Sequence, residues 1–172
     1  MNTGIFVVMG VSGCGKSTVG AQLAAALNIE FLEGDTLHSE HNVALMASGI
    51  ALDDADRAGW LQALAERIRQ ASRDGRGLVL SCSALKRSYR DILRQGEPDL
   101  HFIYLQGEYE QLALRMAART GHYMPTSLLA SQLSTLEVPG MDEDAQSVDM
   151  SSPPETIVAA VRARWLASGP AQ

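Results

Sequence analysis

Residues 5–17 read Ile5-Phe6-Val7-Val8-Met9-Gly10-Val11-Ser12-Gly13-Cys14-Gly15-Lys16-Ser17, an apolar run that passes directly into a glycine-punctuated loop. The run predicts a buried strand, and the residues from Ser17 to Leu27 predict a helix after the loop. Gly10, Gly15, Lys16 and Ser17 fill every fixed position of the phosphate-loop pattern G-x-x-x-x-G-K-[S/T]. Glycines let the backbone curl closely, so that successive N–H groups of Gly10, Val11, Ser12, Gly13, Cys14 and Gly15 face an anion at the positive end of a helix. Lys16 adds a compact positive charge at the outer phosphates, and the Ser17 hydroxyl adds a ligand for Mg²⁺. The stretch therefore predicts a nucleoside triphosphate site. A thiol at Cys14, in a loop that opens a helix, is expected to react with thiol reagents and to be protected by ATP.

Bulk properties narrow the rest. A chain of 172 residues with 46% hydrophobic and 20% charged residues suits one domain with a proper core. The net charge of −6 argues against a general nucleic-acid or membrane-surface binder, which needs a basic face. No apolar stretch approaches a membrane span, no secretory leader is evident, and two cysteines provide no disulfide framework, so a cytoplasmic protein is expected. The chain has just two lysines, Lys16 and Lys86, against 12 arginines. The first lies in the phosphate loop, which makes Lys86 either a second functional ammonium or a surface lysine at a helix start.

Apolar runs alternate with helical patterns almost throughout. Strands are predicted over Ile5–Met9, Glu30–Glu33, Leu78–Ser81, His101–Leu105 and Gln146–Asp149, and amphipathic helices over Thr18–Leu27, Asp54–Arg73, Lys86–Arg94, Glu108–Ala118 and Pro154–Ala167. Such alternation predicts an α/β fold with a parallel sheet flanked by helices on both faces. Ligands of such sheets sit beyond the carboxyl ends of the strands. The excursion over about 121–143, with a short helical piece from Ser127 to Leu136, reads as a small lid within a single domain or as a plain surface insertion. Its acidic group of Glu137, Asp142, Glu143 and Asp144 reads as a solvated loop.

Several segments after strands carry candidate chemistry. Asp35 follows the second strand, where it either orients an attacking hydroxyl, holds Mg²⁺ through water, or caps the next helix. His38 and His41 read as hydrogen-bonding or core residues, since no further metal ligands cluster nearby. Arg57, a cation in the first turn of a helix, needs a partner in Asp53, Asp54 or an anionic ligand. The third strand ends in Ser81-Cys82-Ser83 without an acid, so the metal-holding carboxylate of many phosphate-loop ATPases is absent there. Lys86 and Arg87 then open a helix and could bind a carboxylate or phosphate. Arg115 and Arg119 share a helix face leading into the lid, and either grip the transferring phosphoryl group or pair with Glu110 or Gln111.

Together these stretches resemble the gluconate kinases of the heat-resistant, phosphate-loop type. The correspondence runs through Gly10–Ser17, Glu33-Gly34-Asp35-x-Leu37-His38, Asn42, Met46-Ala47-Ser48-Gly49, and Leu52-x-Asp54-x-Asp56-Arg57-x-x-Trp60-Leu61. It continues with Cys82-Ser83-Ala84-Leu85-Lys86, Tyr89-Arg90-Asp91, Gly121-His122-Tyr123 and Gln132-x-x-Thr135-Leu136-Glu137-x-Pro139. The resemblance implies a nucleoside-monophosphate-kinase-like fold, Mg²⁺ dependence, commonly a homodimer, and transfer of a phosphoryl group from ATP to D-gluconate. It implies that Gly13 to Thr18 hold the triphosphate, with Arg115 nearby, and that Asp35 faces the acceptor hydroxyl. Acceptor and transferring phosphate fall to His38, Arg57, Lys86, Arg87, Arg119 and His122. The chain departs from the family habit at Ser39, Ala51 and Gly59, where proline is frequent, and at Leu45, where lysine is frequent. A regulatory GTPase is disfavoured by the lack of an N-K-x-D motif. A kinase for another small hydroxy acid such as shikimate is the alternative, although the second strand carries Glu33-x-Asp35 rather than Asp-x-Asp. A non-catalytic nucleotide-binding module fits poorly with Asp35, Lys86 and the lid arginines together.

Overall fold

The computed structural model describes residues 4–118 and 127–169. Five strands, β1 (Ile5–Met9), β2 (Glu30–Glu33), β3 (Leu78–Ser81), β4 (His101–Gln106) and β5 (Ala145–Asp149), form one sheet in the order β2-β3-β1-β4-β5. Every pairing is parallel. The central strand β1 is buried along its whole length, as a strand covered on both faces must be, whereas edge strands β2 and β5 are only partly buried. Among the described residues seven helices connect and cover the sheet: α1 (Lys16–Leu27), α2 (Glu40–Ala47), α3 (Asp54–Arg73), α4 (Arg87–Arg94), α5 (Tyr109–Ala118), α6 (Ser127–Thr135) and α7 (Pro154–Ser168).

The apolar stripe of α3, namely Trp60, Leu61, Leu64, Ala65 and Ile68, packs inward as its spacing predicts. Asp53 starts this helix by accepting from the Asp56 N–H at 2.7 Å, while the Asp56 carboxylate accepts from the Asp53 N–H at 3.0 Å. Two acids thus satisfy the helix end and face its positive dipole. Helix α2 has no counterpart among the predicted elements. It has eight residues with just Asn42 and Met46 buried, and Ser39 caps it by accepting from the Asn42 N–H at 3.1 Å. That cap gives the Ser39 hydroxyl a use. Leu45 packs against the small cluster of Met46, Leu52 and Leu128, so an apolar side chain suits the position.

In the segment after α6 the expectation of a solvated acidic loop holds for Glu137, Asp142 and Asp144, which are exposed, and fails at Glu143. Glu143 is 8% exposed and accepts from Arg90 at 2.7 and 3.0 Å and from Arg94 at 2.8 Å. The Gly140 N–H adds a fourth donor at 2.9 Å. Asp142 takes both arms of Arg87, at 3.0 and 2.6 Å, Glu137 accepts from the Arg87 N–H, and Asp144 pairs with His101. Four carboxylates that look like a repelling run in sequence are each matched by a donor presented from α4 or β4. Helix α6 is docked as well, with Leu129 in the main core. The part of the excursion over 127–143 is therefore built into the body of the protein.

Candidate active site

The phosphate loop begins where β1 ends, at the middle of the sheet. Gly15 adopts φ +98° and Gly13 φ +84°, left-handed values that side chains resist. Gly34 solves a different problem: a Cβ there would lie 2.1 Å from the Ser81 carbonyl oxygen, so only glycine lets β2 turn across the end of β3. Lys16 is folded over the loop, donating to the Gly10 and Val11 carbonyls at 3.0 and 3.1 Å. The Cys14 side chain is 1% exposed, so the thiol is packed into the core rather than presented to reagents. Arg115 reaches the back of the loop, donating to the Met150 carbonyl at 2.8 Å and the Cys14 carbonyl at 3.4 Å.

An acid does stand beside the loop, supplied by β2 rather than β3. The Glu33 carboxylate accepts from the Ser17 hydroxyl and, at 2.5 Å, from the Ser81 hydroxyl. Ser81 also accepts from the Gly34 N–H at 3.2 Å, so the end of β3 holds Glu33 in place. Sequence reasoning passed over this residue. The available signal was that β2 ends beside β3, whose small hydroxyl leaves room for a longer acid from its neighbour.

A cleft opens beside the loop, with Ser12, Lys16, Asp35, His38, Arg57 and Ser83 on its polar side. Asp35 lies in a 3₁₀ turn, Gly34–Leu37, and does not cap α2, a duty taken by Ser39. The apolar wall comes from Met46, Leu52, Trp60 and Leu128. Trp60 donates to the Gly34 carbonyl at 2.9 Å and stacks on His38, with ring centres 4.0 Å apart. Burial holds the His38 imidazole below its ordinary pKa, Asp35 opposes that shift, and Arg57 adds to it. Histidine there is a neutral wall with Nδ1 near the Asn42 side-chain nitrogen. His41 is exposed beside Asp56, and no group of three or more metal-ligating side chains occurs among the described residues.

The Arg57 guanidinium is bonded to neither Asp53 nor Asp54, the acids expected to partner it, but donates to the Tyr89 phenol oxygen at 3.1 Å and lies over that ring. Tyr89 in turn bonds Asp54, which accepts from Lys86 at 3.1 Å. This chain ties α3 to α4 and places Lys86 just outside the cavity. Neither Lys86 nor Arg87 lines it, and the Arg87 guanidinium is committed to Asp142. Arg119 and His122 lie outside the described residues. The turn between β3 and α4 carries Ala84 at φ +46°, a left-handed value for a residue with a side chain. Arg90, fully buried, donates to the carbonyls of Ala84 at 2.8 Å and Leu85 at 3.4 Å and fastens that turn.

From α6, Gln132 completes the cavity wall and accepts from the Ser12 N–H at 2.8 Å.

Residues 5–139 match a protein family described as an AAA domain. A thermoresistant gluconokinase of Escherichia coli is 47% identical over 156 residues, which are 90% of this chain and 89% of that protein. The crystal structure of a gluconokinase from Sinorhizobium meliloti superposes with a TM-score of 0.84 at 45% identity, covering 98% of each chain. That of a sugar kinase from a Janibacter species gives 0.91 at 44% identity, over 98% of this chain and 97% of that one.

Proposed function

The chain belongs to the gluconokinase family, and we propose that it transfers the γ-phosphoryl group of ATP to a hydroxyl of D-gluconate, giving 6-phosphogluconate and ADP. The observation that carries this reading is the shared cavity: Lys16 of the phosphate loop and the Asp35 carboxylate line one space, with Arg57 and Ser83 beside them. The hydroxyl oxygen forms its bond to phosphorus as the bond from phosphorus to the β–γ bridging oxygen breaks. The hydroxyl proton passes to Asp35, and the electron pair of the broken bond leaves on ADP. The backbone amides from Gly13 to Thr18 and the Lys16 ammonium neutralise the phosphates. Arg57 offers a cation for the acceptor carboxylate, and the Trp60–His38 stack offers an apolar floor for its carbon chain. Relatives named gluconokinase, at high identity over most of their length, favour gluconate over shikimate as the acceptor.

The donors beside the loop fit Mg²⁺, which usually takes one or two protein oxygens and completes its shell with phosphates and water. Ser17 and Glu33 supply hard oxygens in mutual contact, braced by Ser81. Bound there, the ion would supply positive charge to the phosphates. Arg119 and His122 are assigned by resemblance to the transferring phosphate and the acceptor. Lys86, anchored by Asp54, contributes to the acceptor end through the Tyr89–Arg57 chain. Residues 1–172 act as a single kinase domain. A homodimer and a cytoplasmic location complete the reading. A coupled ADP-release assay across gluconate, shikimate, other sugar acids and nucleoside monophosphates tests it. Gluconate is expected to give the highest kcat/KM by at least tenfold, and equal or greater turnover of shikimate would overturn the assignment.

A further inference from the structure

The His38 ring is held so that its two nitrogens have different duties. Trp60 stacks on it, with ring centres 4.0 Å apart, and the side chain is 4% exposed. The Asn42 side-chain nitrogen lies 3.3 Å from His38 Nδ1 and 2.8 Å from the Asp56 carbonyl oxygen. A carbonyl oxygen accepts and never donates, so the atom facing it is the amide nitrogen, and its two hydrogens are both donors. One goes to Asp56 and the other to Nδ1. Nδ1 is then the bare, accepting nitrogen, and the neutral ring carries its proton on Nε2. Asn42 is buried near the start of α2, where its own N–H is tied to the Ser39 cap at 3.1 Å. Asp35 and Arg57 are the charged groups that act on the ring, and burial, the largest influence, also favours the neutral form.

Nε2 faces Asp35, 3.8 Å from Oδ1. That span is too long for a direct hydrogen bond, but a single oxygen can lie about 2.8–3.0 Å from both atoms. Such an oxygen must accept from the Nε2–H and donate to the carboxylate. A hydroxyl does both, whereas an ether or carbonyl oxygen only accepts.

We propose that His38, fixed by Asn42 as an Nε2–H donor, forms with Asp35 Oδ1 a seat for the acceptor hydroxyl next to the one that is phosphorylated. The second Asp35 oxygen is left for the reacting hydroxyl. The site thereby selects two adjacent hydroxyls, and Asn42 is a positioning residue that acts through His38. The inference rests on the kinase reading above, under which the seated group is the C5 hydroxyl of gluconate.

NMR of the ligand-free chain with ¹⁵N-labelled histidine reads the tautomer. The protein has four histidines, so the His38 signals are those missing from His38→Phe. At about pH 7.5, above the ordinary histidine range, the proton is expected on Nε2 with Nδ1 bare, and a proton on Nδ1 would overturn the proposal. The seat is read by kcat/KM for gluconate against 5-deoxygluconate. The wild-type ratio should be at least about 10²-fold, because an acceptor lacking the hydroxyl leaves polar groups of the site unpaired. His38→Phe keeps a ring against Trp60 but no N–H, and should cut that ratio by about tenfold. His38→Gln, which retains an N–H donor, should restore most of it. General damage to the cleft lowers both acceptors alike, so an unchanged ratio in His38→Phe also overturns the proposal. Asn42→Leu, of similar size, should populate both tautomers and lower the ratio, and a folded Asn42→Leu chain with the wild-type tautomer would refute the role of Asn42. Should that variant not fold, the wild-type spectrum and the two His38 variants decide. Failure of the wild-type chain to phosphorylate gluconate would instead sink the acceptor assignment, with the tautomer still judging Asn42 and His38.

Discussion

Glu143→Gln isolates the worth of one buried charge. Glutamine keeps the shape and can still accept a hydrogen bond, but it leaves Arg90, with 1% of its side chain exposed, facing a neutral group. Two routes set the size of the loss. Removing one partner of a buried ion pair costs about 3–5 kcal/mol. Separately, the donated hydrogen bonds of Arg90, Arg94 and the Gly140 N–H outweigh desolvation and hold the Glu143 carboxyl at about 2 instead of 4.5. At about 1.4 kcal/mol per tenfold change in proton affinity, that depression corresponds to about 3 kcal/mol. In a domain of this length each kcal/mol moves Tm by about 2–4 °C, so a fall of about 6–12 °C is expected at pH 7. The folded value is the depressed one, so the contribution is complete above pH 4.5 and drains away as the pH falls from 4.5 toward 2. Melting curves by circular dichroism at pH 7, 5 and 3.5 should show the gap between wild type and variant narrowing in acid. A variant within 2 °C of wild type at pH 7, or a gap that stays constant into acid, would refute this account.

Other expected outcomes bear on the site. Asp35→Asn should lower kcat for gluconate by about 10²–10⁴-fold, the range for a lost general base, with ATP affinity by calorimetry within about threefold of wild type. Near-normal turnover would remove Asp35 from proton transfer. Glu33→Gln should raise the Mg²⁺ concentration for half-maximal activity by about 10-fold or more, in line with losses at other supporting carboxylates; an unchanged titration would assign Glu33 to structure alone. The fold favours neutral His38, so its contribution is full above 6.5 and shrinks as the pH drops below that value. Between pH 7.5 and 5.5, Tm should therefore fall less in His38→Gln than in wild type, and equal falls would contradict the burial argument.

Much of the architecture was legible because it is written in periodicity. The five strands and the span Asp54–Arg73 follow from apolar runs and a helical stripe. What escaped depends on contacts between distant segments. Helix α2 is two turns long with two buried residues, too little signal for any pattern. Glu33 meets Ser17 because β3, carrying a serine at its end, separates β2 from β1, and no local window contains that order. The acidic stretch from Glu137 to Asp144 misled at Glu143, whose counter-charges, Arg90 and Arg94, sit on α4. A clue was present in Arg90, which shares the buried face of α4 with Tyr89 and Leu93 and so had to find a carboxylate. The site was legible where chemistry needs a fixed spacing, as in the phosphate loop. It was not where one exposed-looking arginine, Arg87, had to be told from another, Arg57.

Arg90 and Glu143 also set an order of events during synthesis. Their side chains meet across 53 residues of chain. At about 5–20 residues per second the ribosome makes the acid several seconds after the base. In that interval α4 carries a guanidinium that the finished protein keeps dry, so its docking on the nascent sheet is disfavoured. The β3–α4 turn, and with it one wall of the nucleotide and acceptor cavity, is therefore expected to take its final shape only once the segment before β5 has emerged and the last strand has joined the edge.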